Sequence, residues 1–133
     1  IRIEAGALTF TAELNDSATG RAVWEALPIT ASAHRWGDEV YFFVPLDLPL
    51  ENPQEIVSEG DIAYWPEGPA LCLFFGPTPL SRGDEIRPAS PVTVCGRILG
   101  DPKVLKDVRS GTELRLTRSA AQGVTFPDGV PDA

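Results

Sequence analysis

The sequence predicts a mainly β fold: a closed antiparallel barrel or a sandwich of about eight short strands, with one helix capping an open end. Three observations carry this. The 133 residues include 13 Pro and 12 Gly, spread along the chain without period, which argues for many short elements joined by tight turns. Between those punctuators, short runs of alternating apolar and polar residues recur, as half-buried strands require. Only one stretch shows the clear 3.6-residue period of an amphipathic helix.

Taken in order, Ile1–Glu4 and Ala7–Leu14 alternate around Gly6 and read as a β-hairpin. Asn15, Asp16 and Ser17 offer capping side chains. Gly20, Val23, Trp24 and Leu27 then follow at helical spacing, so Ser17–Leu27 reads as the amphipathic helix, ended by Pro28. Its apolar face, with Val23, Trp24 and Leu27, is expected to cover the sheet. Ile29–Trp36 and Glu39–Val44 flank Gly37-Asp38 as a second hairpin. Pro45–Glu59 is a looser connection in which Asn52–Val57 reads as one helical turn. Asp61–Trp65 and Ala70–Phe75 are strands joined through Pro66-Glu67-Gly68-Pro69. A polar loop, Pro77–Arg87, leads to a strand at Ser90–Leu99. Pro102–Val108 reads as a short second helix and Thr112–Arg118 as the last strand. The domain is expected to span residues 1–118, and residues 119–133, small and turn-rich, to form a flexible tail.

A net charge of −8 with no Lys/Arg-rich run argues against nucleic acid and against anionic membrane surfaces as partners. No window approaches the roughly 20 apolar residues a membrane helix needs. Cys72 and Cys95 lie in apolar runs and make no disulfide framework, which favours a cytoplasmic protein. With a single histidine and no paired cysteine motif, no metal site and no cofactor are expected.

Three segments, LNDSATGRAVWEALPITASAHRWGDEVYF, GDIAYWPEGPALCLFFGPTP and IRPASPVTVCGRI, resemble in order and spacing the cyclophilin-like barrel proteins of unknown function from bacteria and archaea. The resemblance covers Ile1–Arg118 and implies a closed, eight-stranded antiparallel cyclophilin-like barrel. It implies no established activity. Prolyl isomerisation, the obvious import, works against a barrier of about 20 kcal/mol. The well-known cyclophilins meet it with an apolar proline pocket and an arginine in a Phe-His-Arg strand motif, and that motif is missing. The nearest aromatic runs read Ala63-Tyr64-Trp65-Pro66 and Leu73-Phe74-Phe75-Gly76. Arg87 or Arg97 would have to reach the site from another strand.

The remaining candidates are aromatics and polar groups near turns. Trp36 and Tyr41 flank the Gly37-Asp38 turn, and Tyr64 and Trp65 precede another. Such aromatics form either a stacking pocket or core filling, and strand alternation allows at most one of Tyr64 and Trp65 to point inward. Glu67, between Pro66 and Gly68, reads as a ligand carboxylate or a solvated loop residue. His34 reads as a turn histidine, or as a general base with Asp38 or Glu39 beside it. Cys72, in Ala70-Leu71-Cys72-Leu73-Phe74, reads as core rather than nucleophile.

The expectation is therefore a binding module for a small molecule or peptide. Its pocket would sit at the barrel edge, drawn from Trp36, Tyr64, Trp65, Glu67, Phe75 and Arg87. The alternatives are a prolyl isomerase with a relocated arginine, or a subunit of a small-metabolite enzyme. A homodimer contact through Val44, Leu46, Leu48 and Leu50 is a further expectation.

Overall fold

A computed structural model describes residues 1–119. The tail expected at the C-terminus lies, from residue 120 onward, outside the described residues. In chain order the strands are β1 (Arg2–Ala5), β2 (Leu8–Leu14), β3 (Ile29–Ser32), β4 (His34–Arg35), β5 (Glu39–Phe43), β6 (Asp61–Trp65), β7 (Ala70–Phe74), β8 (Thr93–Leu99) and β9 (Glu113–Thr117). Helix α1 (Ala18–Ala26) lies between β2 and β3, and a 3-10 helix spans Pro102–Asp107.

The nine strands of the described residues join one sheet in the order β3–β9–β1–β2–β8–β6–β7–β5–β4. The two ends of that order are consecutive in the chain. Between them Ala33 is fully buried; its N–H donates to the Thr112 carbonyl and its carbonyl accepts from the Gly111 N–H, both at 2.8 Å. One run of chain thus pairs with β9 through Ile29–Ser32 and with β5 through His34–Arg35, and it nearly closes the barrel. The sequence predicts a single strand over Ile29–Trp36. Its division at Ala33 accounts for nine strands rather than eight.

Strand alternation sends Val40, Phe42, Ile62, Tyr64, Leu71 and Leu73 into the barrel, where each is at most 2% exposed. Helix α1 starts at Ser17, whose hydroxyl accepts from the Gly20 N–H at 2.9 Å. A carboxylate from far along the chain completes the cap, since Glu51 accepts from the backbone N–H groups of Ala18 and Thr19. The helix buries Val23 and Leu27. Trp24, expected on the same face, turns outward instead: it is 38% exposed and lies under the Arg118 guanidinium, 4.9 Å from its ring centroid.

The connection after β5 is a strap across the barrel rather than a loose loop. Val44 is buried, and Leu46 and Leu48 pack on the main core. Three of the four residues expected at a dimer contact are thus turned toward the barrel, and only Leu50 is exposed. Asn52–Val57 is not helical; Gln54 bridges to Val92 and Val57 to Ile86.

A second apolar cluster lies on the outer face of the sheet and joins Val57, Ala63, Cys72, Phe74, Ile86 and Val92. The segment between β7 and β8 covers it. That segment is tied to itself: Thr78 Oγ1 donates to the Arg87 carbonyl, and Ser81 Oγ accepts from the N–H groups of Thr78 and Arg87. Its far end is fixed where the Trp65 indole N–H donates to Ser90 Oγ at 2.6 Å. The barrel therefore has two buried layers, one inside and one under this flap.

Candidate functional site

Residues directly opposite across an antiparallel pair share a face, as do residues two apart along a strand. Those two rules assemble the site. The Gly37-Asp38 turn is tight: Trp36 N–H donates to Glu39 O at 3.0 Å and Glu39 N–H donates to Trp36 O at 3.2 Å. Trp36 and Glu39 therefore stand on one face. Gly37 has φ +60 there, and a Cβ on it would lie 2.8 Å from Pro79 of the flap, so the turn needs glycine both for its backbone and for its packing.

Along β5, Tyr41 follows Glu39 on the outer face. Its register partners are His34 on β4 and Cys72 on β7. Cys72 in turn pairs with Ala63 on β6, and Trp65 stands two residues further on the same face. The flap approaches with Pro88, Ala89 and Val92. The result is a cavity of about 250 Å³ lined by Trp36, Glu39, Tyr41, Trp65, Cys72, Pro88, Ala89 and Val92. It suits a compact organic group, and its walls are aromatic and apolar apart from one carboxyl.

That carboxyl is Glu39. The residue is only 5% exposed, and among the described residues its Oε1 has no hydrogen-bond partner. Burial pushes its pKa from 4.5 up to about 7, while hydrogen bonding to the carboxyl by the neighbouring Cys72 thiol works the other way. Burial, reinforced by the adjacent Glu39 carboxyl, raises the Cys72 thiol well above its ordinary value. A thiol held protonated in this way is a poor nucleophile. Cys95 belongs to the interior core, on the other face of the sheet, and both cysteines are free.

Of the residues the sequence singles out, the structure brings Trp36 and Trp65 together at this cavity. Tyr64 is fully buried inside the barrel, its hydroxyl donating to Leu46 O at 2.8 Å and accepting from Leu48 N–H at 3.1 Å. Phe75 is 1% exposed, in the main core beneath the Arg35 guanidinium. Glu67 is exposed in the β6–β7 turn. Arg87 lies beyond Pro88 and Ala89 in a separate groove, bonded to Glu85 at 2.8 Å and 3.8 Å from Glu55. His34 stacks on Tyr41 at 5.1 Å and meets the edge of Phe43 at 5.3 Å, flanking the cavity without lining it.

Glu39 is absent from the residues expected to bind. The alternation Glu39-Val40-Tyr41-Phe42-Phe43 and the tight turn place it beside Trp36 on the outer face, but a charged residue on that face reads as solvated. Its burial comes from the flap, a long-range contact with no local signal. Among the described residues, no group of three or more His, Cys, Asp or Glu is arranged to hold a metal, and no helix is long and apolar enough to cross a membrane.

A nearly closed antiparallel barrel with one main helix and a second short one is the architecture of a cyclophilin-like barrel protein. The chain belongs to the cyclophilin-like family, whose model matches residues 1–117. It is similar to the hypothetical protein AF2241 from Archaeoglobus fulgidus, known from a solution structure, with 42% sequence identity and a TM-score of 0.74; the match covers 88% of this chain and 92% of that one. No curated protein matches.

Proposed function

We propose that the protein is a binding module for a small organic molecule, held in the outer-face cavity between the Gly37-Asp38 turn and the flap. One observation carries this reading: Glu39, a buried residue whose Oε1 has no partner among the described residues, lines an aromatic cavity of about 250 Å³. Leaving a buried acceptor unpaired costs about 1–3 kcal/mol. A hydrogen-bond donor on a bound molecule would remove that cost here. Trp36, Tyr41 and Trp65 supply apolar area for the body of that molecule.

The three tryptophans give the test its own control. Trp36 and Trp65 line this cavity, whereas Trp24 lines a groove beside helix α1. Small organic fragments titrated into the protein should shift the indole N–H resonances of Trp36 and Trp65 and leave that of Trp24 in place. If every fragment that binds shifts Trp24 alone, the cavity is not the site.

Prolyl isomerisation is the second reading, favoured by one observation: the Arg87 groove shares Pro88 and Ala89 with the cavity. A peptide crossing that ridge would place its proline among the aromatics and its amide toward the guanidinium. Against this, Glu85 and Glu55 already engage Arg87. Exchange rates on Xaa-Pro peptides equal to the uncatalysed rate would end the isomerase reading.

A further inference from the structure

We infer that the ligand of the outer-face cavity is a protonated amine on a compact apolar or aromatic body, with Glu39 receiving the ammonium as its carboxylate. The inference rests on the reading of that cavity as a binding site and adds the chemical class of its occupant.

The lining decides the class by what it contains. Among the described residues its one carboxyl is that of Glu39; Trp36, Trp65, Pro88, Ala89 and Val92 carry no charge, and no lysine or arginine lines the cavity. The ionisable groups packed near Glu39 are the Tyr41 phenol on its own strand and the Cys72 thiol on the neighbouring one. Asp38, next in the chain, is directed elsewhere: its carboxylate lies 3.8 Å from Arg35, and its side chain packs against Gly76. An anionic ligand would thus meet a carboxyl and no compensating cation. A neutral ligand would satisfy Oε1 with one hydrogen bond. An ammonium satisfies the same oxygen with a charge-assisted bond, which is roughly twice as strong as a neutral one. Its charge also offsets the desolvation cost that keeps the Glu39 carboxyl protonated, and aromatic walls suit a cation that is losing its water. Because the Glu39 carboxyl holds its proton up to about pH 7, the amine displaces that proton as it binds below this pH.

The experiment compares benzylammonium with benzyl alcohol, matched in shape and differing in charge, by calorimetry and by the tryptophan indole resonances. Benzylammonium is expected to shift Trp36 and Trp65 and to bind about tenfold more tightly than the alcohol at pH 8. Its affinity should fall about a hundredfold from pH 8 to pH 5 as Glu39 takes up its proton. Titrations near pH 6 in buffers of different ionisation enthalpy should show close to one proton released per amine bound. Glu39→Gln should remove both the preference for the amine and the proton release, and the proton count on the unaltered protein stands even if that variant folds poorly. If the alcohol shifts Trp36 and Trp65 and binds as well as the amine, the class is wrong and the binding reading stands. If neither probe shifts those two signals, both fall.

Discussion

Tyr64 and Trp65 are neighbours in the chain and belong to opposite faces of one strand. Tyr64 is sealed inside the barrel, where its hydroxyl bridges the Leu46 carbonyl and the Leu48 N–H. Trp65 points outward, lines the cavity, and fixes the end of the flap through Ser90. A single strand thus anchors the strap on one side and the site on the other.

The strap is the first place to test that arrangement. Tyr64→Phe keeps the ring and removes two hydrogen bonds, leaving the Leu46 carbonyl and the Leu48 N–H without their partner. The expected loss is about 1–3 kcal/mol in urea unfolding. Amide exchange should accelerate at Leu48 more than at β7. Unchanged exchange at Leu48 would mean that the strap is held by Leu46 and Leu48 packing alone.

The same pair shows how far the sequence reaches. Alternation says that Tyr64 and Trp65 face opposite ways, and it does so because the pleat of a strand is a local property. It does not say which faces inward, since both residues are large, aromatic and equipped with one polar atom. The hairpin at Gly6, the helix at Ala18–Ala26, and the strands through Ala70–Phe74 and Glu113–Thr117 are legible for the same local reason. The break at Ala33, the outward turn of Trp24 and the burial of Glu39 are not. Each is set by a contact with a distant segment: Thr112, Arg118 and the flap, respectively. Phe75 reads as a site aromatic only until Arg35 is seen to cover it.

Arg35 supports the closure of the barrel from outside. Its guanidinium donates to the carbonyls of Gly37, Lys106 and Val108 while lying 5.0 Å over the Phe75 ring. Lysine keeps the charge but cannot serve those directions from one planar group. Arg35→Lys should therefore lower unfolding stability by about 1–3 kcal/mol. A loss within about 0.5 kcal/mol, the range of ordinary surface changes, would show that the fork is dispensable.

Cys72 lines the cavity, yet it is 2% exposed and its thiol is held protonated. Cys95 is fully buried, with its thiol pushed up to about 12. Neither is expected to react with an aromatic disulfide reagent in the native protein at pH 8, and both should react once urea unfolds the chain. Native labelling of Cys72 at the rate of a free thiol would mean that the flap opens readily over the site.

Glu39 makes the pH dependence of stability specific. Its carboxyl titrates at 4.5 in the unfolded chain and at about 7 in the folded one. Between those values the folded protein keeps a proton that the unfolded chain has lost, so this group makes stability fall as pH rises. The cost is absent below about pH 4.5 and complete above about pH 7, and its size is about 3 kcal/mol at about 1.4 kcal/mol per pH unit. Glutamine has the same shape and no charge at any pH. Glu39→Gln should match the parent protein near pH 4.5 and exceed its stability by up to about 3 kcal/mol at pH 8. Other carboxylates titrate in both proteins alike, so the difference between the two urea unfolding curves isolates Glu39. A difference that stays constant from pH 4.5 to pH 8 would place the carboxyl in ordinary contact with water and remove the electrostatic basis of the site.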